Sequence, residues 1–95
     1  MQESGFNKGI LNETIRLFCF IVCHLVDDEG AVQVQYASTA ERGVTLQVKC
    51  APADFGKLIG AQGRTARSLR TVLGAASVKQ GARYSLDIRP ADLEP

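Results

Sequence analysis

The chain has 95 residues, 45% hydrophobic and 22% charged, with a net charge of +1, which describes one small globular domain. Without tryptophan, and with four phenylalanines and two tyrosines, its core is expected to be mostly Val, Leu, Ile and Ala, and modest enough to profit from a partner. Three cysteines, Cys19, Cys23 and Cys50, read as reduced thiols rather than a disulfide framework, and the apolar run 17–23 is too short to span a bilayer and lacks a cleavage site after it, so a soluble cytoplasmic protein is expected.

The first six residues read as a loose end. From Asn7 to Val26, Leu11, Ile15, Phe18, Val22 and Leu25 recur at helical spacing, predicting a mostly buried helix. Asp27-Asp28-Glu29-Gly30 ends it, because acids at a helix C-terminus oppose the macrodipole. This cluster lacks calcium-loop spacing and reads as a solvated turn. Residues 31–38 alternate, with Val32, Val34 and Tyr36 on one side and Gln33 and Gln35 on the other, as in a half-buried strand. Glu41-Arg42-Gly43 forms a turn. Val44, Leu46, Val48 and Cys50 then alternate with Thr45, Gln47 and Lys49 in a second strand.

Pro52 suits a first helical turn, and Asp54 has the favourable charge sign there, so a short helix is predicted over 52–59. Gly60 to Gly63 breaks it. A further helix begins near Arg64, with Ala66, Leu69, Val72, Leu73 and Ala76 on its inner side and Arg64, Arg67 and Arg70 roughly opposite. Residues 77–81 read as a loop, and Tyr84, Leu86 and Ile88 mark a third strand ended by Pro90. The order α-β-β-α-α-β, with a three-stranded sheet packed by three helices, predicts a two-layer α+β sandwich. Residues 7–89 form the single domain and 90–95 a C-terminal tail.

The near-neutral total conceals an asymmetry. Residues 1–56 carry four basic and seven acidic side chains, whereas residues 57–89 carry seven basic and one acidic. A local basic face suits a polyanion. In its middle lies Ile59-Gly60-Ala61-Gln62-Gly63-Arg64. Glycines without Cβ atoms let a sugar-phosphate backbone lie against the main chain, and the opening amides of the next helix carry the positive end of its dipole. Arg64, Arg67 and Lys57 add charge. The bland alternative is a tight helix–helix turn beside ordinary solvated charges, to which Arg70 and Lys79 fit as well. A dinucleotide fingerprint is excluded because a helix rather than a strand precedes the glycines, and a P-loop because Gly63 is followed by Arg64.

Ile59-Gly60-Ala61-Gln62-Gly63 resembles the I-G-x-x-G signature of KH domains, and the element order is similar to their type II arrangement. Together with Leu25-Val26-Asp27, Ala51-Pro52, Asp54, Gly56-Lys57 and Gly63-Arg64, the chain from about residue 7 to 89 resembles the small single-KH RNA-binding proteins of bacteria. The resemblance implies single-stranded RNA binding of low sequence specificity through a backbone clamp of about four nucleotides. It implies a site of Lys57, Ile59, Gly60, Ala61, Gln62, Gly63, Arg64, Arg67 and Arg83, with Arg89 nearby and bases over a groove between Ile59, the second helix and the third strand. It also implies an RNA chaperone or post-transcriptional regulator that pairs with itself or with a larger KH-containing protein. Two positions depart from the pattern: Ala61 and Gln62 stand where many KH loops carry a lysine, and Ala66 stands where many carry an isoleucine, making the groove shallower.

Neither catalysis nor a metal or cofactor is expected. His24 is the lone histidine and has no assignable catalytic partner. Although Cys19 and Cys23 share a helix face, His24 points about 100° away and no second ligand cluster completes a site. Two other ligand readings are a KH-shaped protein-interaction module and a single-stranded DNA binder.

Overall fold

The computed structural model of the chain describes residues 8–38 and 43–91. Helix α1 (Lys8–Cys23) is followed by a 3-10 turn (Glu29–Ala31), strands β1 (Gln33–Ser38) and β2 (Gly43–Cys50), a second 3-10 turn (Pro52–Asp54), helix α2 (Phe55–Ile59), a third 3-10 turn (Ala61–Gly63), helix α3 (Arg64–Gln80) and strand β3 (Arg83–Pro90). This is the expected α+β order. Residues 1–7 and 92–95 lie outside the described residues, as do Glu41 and Arg42 of the anticipated turn, whereas Gly43 opens β2.

The sheet runs β1-β2-β3, with β1 antiparallel and β3 parallel to β2. A parallel pair needs a crossover, and α2 and α3 together supply it. That requirement sets the α2–α3 junction beyond the C-terminal ends of β2 and β3 and returns α3 to the start of β3. Register follows the apolar alternation: Val48 lies opposite Val34 and Ile88, and Leu46 opposite Tyr36 and Leu86. Leu46, Val48 and Cys50 are essentially buried, and Leu11, Phe18, Val22, Leu58, Leu69 and Leu73 close over them from the helices. The other sheet face carries Gln33, Gln35, Gln47, Ser85 and Arg89, leaving two layers.

Five expectations shift. Helix α1 stops at Cys23 rather than Val26: His24 turns its Nδ1 onto the Phe20 carbonyl oxygen at 2.8 Å, and Leu25 and Val26 both direct their amides to the Val22 carbonyl, closing a turn. The acidic cluster is docked rather than merely solvated, because the Asp28 amide donates to Asp54 Oδ2 at 3.0 Å. Strand β1 begins at Gln33, two residues late, and Tyr36 is 37% exposed because β1 is an edge strand. Residues 77–80 are helical, not loop. Gly81, with φ 69°, forms the left-handed cap and donates its amide to the Ser77 carbonyl. On α3, Ala66, Leu69 and Leu73 are buried as expected, but Val72 is 47% exposed, since it faces an open groove against Ile10 and Leu17 of α1.

Candidate nucleic-acid interface

Helix α2 has five residues because Gly60 cannot continue it: with φ 79° and ψ 169°, Gly60 leaves helical space altogether. Its amide still closes onto the Gly56 carbonyl at 2.8 Å, and the Gly63 amide returns to the Gly60 carbonyl at 3.0 Å. Between them Gln62 (φ 58°, ψ 25°) and Gly63 (φ 75°, ψ 15°) are both left-handed. Such a conformation costs a non-glycine residue about 1–2 kcal/mol, so Gln62 holds strain on an exposed tip.

The two glycines serve different ends. A Cβ on Gly60 would lie 2.8 Å from the Thr65 amide nitrogen and Cβ, inside contact distance, so this position permits α3 to start where it does. A Cβ on Gly63 would meet nothing within 4 Å. Its bare side is open surface, available to an incoming backbone.

Helix α3 begins here with no side-chain cap and no acid in its first turn. The positive end of its dipole is therefore offered outward, while the Arg64 amide, expected to be free, closes the preceding 3-10 turn onto the Ala61 carbonyl. Arg64 and Arg67 are exposed beside this helix start, and Arg64 donates to the Gln62 side-chain oxygen at 3.5 Å. Among the described residues, Arg64, Arg67 and Arg83 make no ion pair. Ile59 is half-buried against the core, and Ala61 is exposed. Gly60, Ala61, Gln62, Gly63, Arg64 and Arg67 thus come together as anticipated.

Lys57 does not join them as mobile charge. Its Nζ lies 3.3 Å from Asp27 Oδ2 and 3.4 Å from Asp54 Oδ1. Hydrogen bonding to Asp27, together with its charge, holds the ammonium pKa above its ordinary value. Asp54 is 2% exposed, and its carboxyl pKa is held below the usual range chiefly by the backbone amide of Asp28. This cluster ties the turn after α1 to the start of α2. Sequence reasoning gave Asp54 only a helix-end role, and no local spacing links it to residues 27 and 28.

Arg83 also stands apart. It pairs with Gly43 at the start of β3, whereas the glycine turn lies at the opposite end of α3, a helix of 17 residues and so about 25 Å long. Arg89 is nearer the turn, but its Nε is held by Asp87 Oδ2 at 2.8 Å. Arg70 donates to the Leu86 carbonyl oxygen of β3 at 3.4 Å, so it leans over the exposed edge of that strand.

The KhpA/KhpB KH-domain family matches residues 17–88, from the middle of α1 through β3. The chain is 47% identical over 64 residues to the RNA-binding protein KhpA of Clostridium acetobutylicum, covering 67% of this chain and 84% of that protein. The KhpA of Borreliella burgdorferi is 40% identical over 74 residues, 78% and 89% of the two chains. That of Streptomyces coelicolor is 49% identical over 66 residues, 70% and 81% of the two. No solved structure matches. With the helix–GxxG–helix junction, the type II element order and these relatives all in agreement, the chain belongs to the KhpA/KhpB KH-domain family.

Proposed function

We propose that this chain binds single-stranded RNA by gripping the sugar-phosphate backbone at the Gly60–Gly63 turn, with low sequence specificity and no chemical step. The observation that carries this reading is the open face of Gly63 beside the N-terminus of α3, which has no side-chain cap, and the guanidinium groups of Arg64 and Arg67, which make no ion pair among the described residues. Phosphate oxygens match all three: the bare main chain at Gly63 lets them approach, the dipole favours their charge, and arginine binds them in a fork. Ile59, half-buried at the end of α2, offers apolar surface to a base. The relatives are named RNA-binding proteins, which favours RNA over DNA as the ligand.

The cellular role that fits is a cytoplasmic RNA chaperone or post-transcriptional regulator working as a pair, with itself or with a larger KH-containing protein. Leu17 and Phe20 of α1, 48% and 63% exposed, supply apolar surface for such pairing. Two weak clamps acting on one strand gain avidity.

Fluorescence anisotropy of a labelled single-stranded RNA, with wild type and Gly63→Asp side by side, tests the clamp. The variant places a carboxylate on the open face without a steric conflict, so circular dichroism should stay native while affinity falls at least tenfold. Equal affinity overturns the reading. A DNA oligomer of matched sequence added as competitor reports the preferred sugar.

A further inference from the structure

Helix α3 does not end its outward face at the arginines. Gly74 and Val78 follow Arg67 at seven and eleven residues, about two and three turns along, so all three occupy one strip, and Ser77 continues the strip of Arg70. Gly74, Ser77 and Val78 line a cleft of about 640 Å³ whose other wall is built from the first residues of β2 and β3, including Val44, Arg83 and Tyr84. That volume is in the range of small-ligand sites. The cleft therefore lies along the same helix face as the proposed backbone clamp, toward the far end of α3.

Its chemistry narrows the occupant. The lining residues include one cation, Arg83, and no carboxylate. The hydroxyls are already used: Ser77 Oγ donates to the Leu73 carbonyl and accepts from the Tyr84 amide, and Thr45 and Ser85 bond each other at 3.0 Å. What is left is apolar surface beside a guanidinium that makes no ion pair among the described residues. Val78 is 85% exposed at this cleft, and a Cβ on Gly74 would meet nothing within 4 Å, so a flat ring can lie close along the helix. An uncharged planar ring carrying an anion fits these walls, and a nucleotide is such a group.

We propose that this cleft is a second base-binding subsite for the strand held at the Gly60–Gly63 turn, taking nucleotides beyond the roughly four clamped there. The proposal rests on the RNA-binding reading above. It assigns to Arg83 a phosphate of this outer segment rather than one at the turn.

The test uses the full chain and three probes: oligouridylates of four and eight nucleotides, and an eight-nucleotide strand with four uridines followed by four abasic positions. For wild type the eight-nucleotide strand should bind one-to-one at least tenfold tighter than the four-nucleotide strand, more than extra binding registers provide, and the abasic strand should lose most of that gain. Val78→Gln and Gly74→Gln alter exposed positions and keep the fold. Each should bring the longer strand to near the affinity of the shorter one while leaving the shorter one unchanged. If both variants bind the longer strand as wild type does, or if wild type shows no gain with length, the subsite is refuted. In that case a Gly63→Asp variant that still weakens the short probe leaves the clamp standing. If wild type binds neither strand, the clamp fails and the subsite with it.

Discussion

At the residue scale, Gly60 and Gly63 look alike in sequence and carry different burdens. Gly60→Ala forces a Cβ against the start of α3 and asks alanine to hold φ 79° with ψ 169°, a region essentially reserved for glycine. It should lower stability by upwards of about 2 kcal/mol in urea unfolding. Gly63→Ala meets no atom and should cost about 1 kcal/mol for its left-handed φ. Equal losses would show that the turn is not built as described. It also follows that substitution at Gly63, not Gly60, separates binding from folding. Asp54 has a pH signature. Its carboxyl pKa is depressed in the folded state, so its stabilisation is present above the unfolded value of about 3.9 and disappears as pH falls through the lower folded value. Asp54→Asn should be less stable at neutral pH and should show a shallower loss of stability below about pH 4. A wild-type acid limb in the variant would contradict the network with Asp28 and Lys57.

At the element scale, the two faces of α3 make separable demands. Leu73 is 1% exposed and Val72 47% exposed. Leu73→Ala should therefore cost about 2–5 kcal/mol in chemical unfolding, and Val72→Ala no more than about 0.5 kcal/mol. On the outer face, each phosphate contact to a single strand contributes about 0.7 to the slope of log affinity against log salt. Replacing Arg64 and Arg67 together by glutamine should flatten that slope by about 1.4 in titrations at several salt concentrations. An unchanged slope would remove both arginines from the interface.

The elements legible in the sequence are those with a strict period. Strand β2 alternates without interruption because its buried residues all meet the helical layer, and α3 shows its core stripe at Ala66, Leu69 and Leu73. The misplaced boundaries have tertiary causes. Ser77 to Gln80 look like loop residues, yet they stay helical until Gly81 supplies the left-handed cap. Val72 fits the inner stripe by angle alone, but the groove between α1 and α3 stays open beside it.

At the scale of the whole molecule, one topological fact separates the candidate site residues. The crossover that makes β3 parallel to β2 sets the glycine turn at one end of α3 and Arg83 at the other. The turn itself is readable from Gly60, Gly63 and the arginines after them, since those cues are local. Two features are not local: the tie of Lys57 and Asp54 to the turn at Asp27 and Asp28, 26 residues before Asp54 at the nearest bond, and the distance of Arg83 from the glycine turn. Side chains assigned to one site by charge alone are in this way divided among a structural network at Lys57, the proposed clamp at the glycine turn and the distant cleft at Arg83.

The most direct measurement is a two-dimensional amide spectrum of the labelled protein titrated with a short single-stranded RNA. The expected result is that the largest shifts fall on Gly60, Ala61, Gln62, Gly63, Arg64 and Thr65, with weaker changes along Arg67 and Arg70. Saturating RNA that leaves those amides unmoved, or that moves only α1 and the polar face of the sheet, would contradict the clamp.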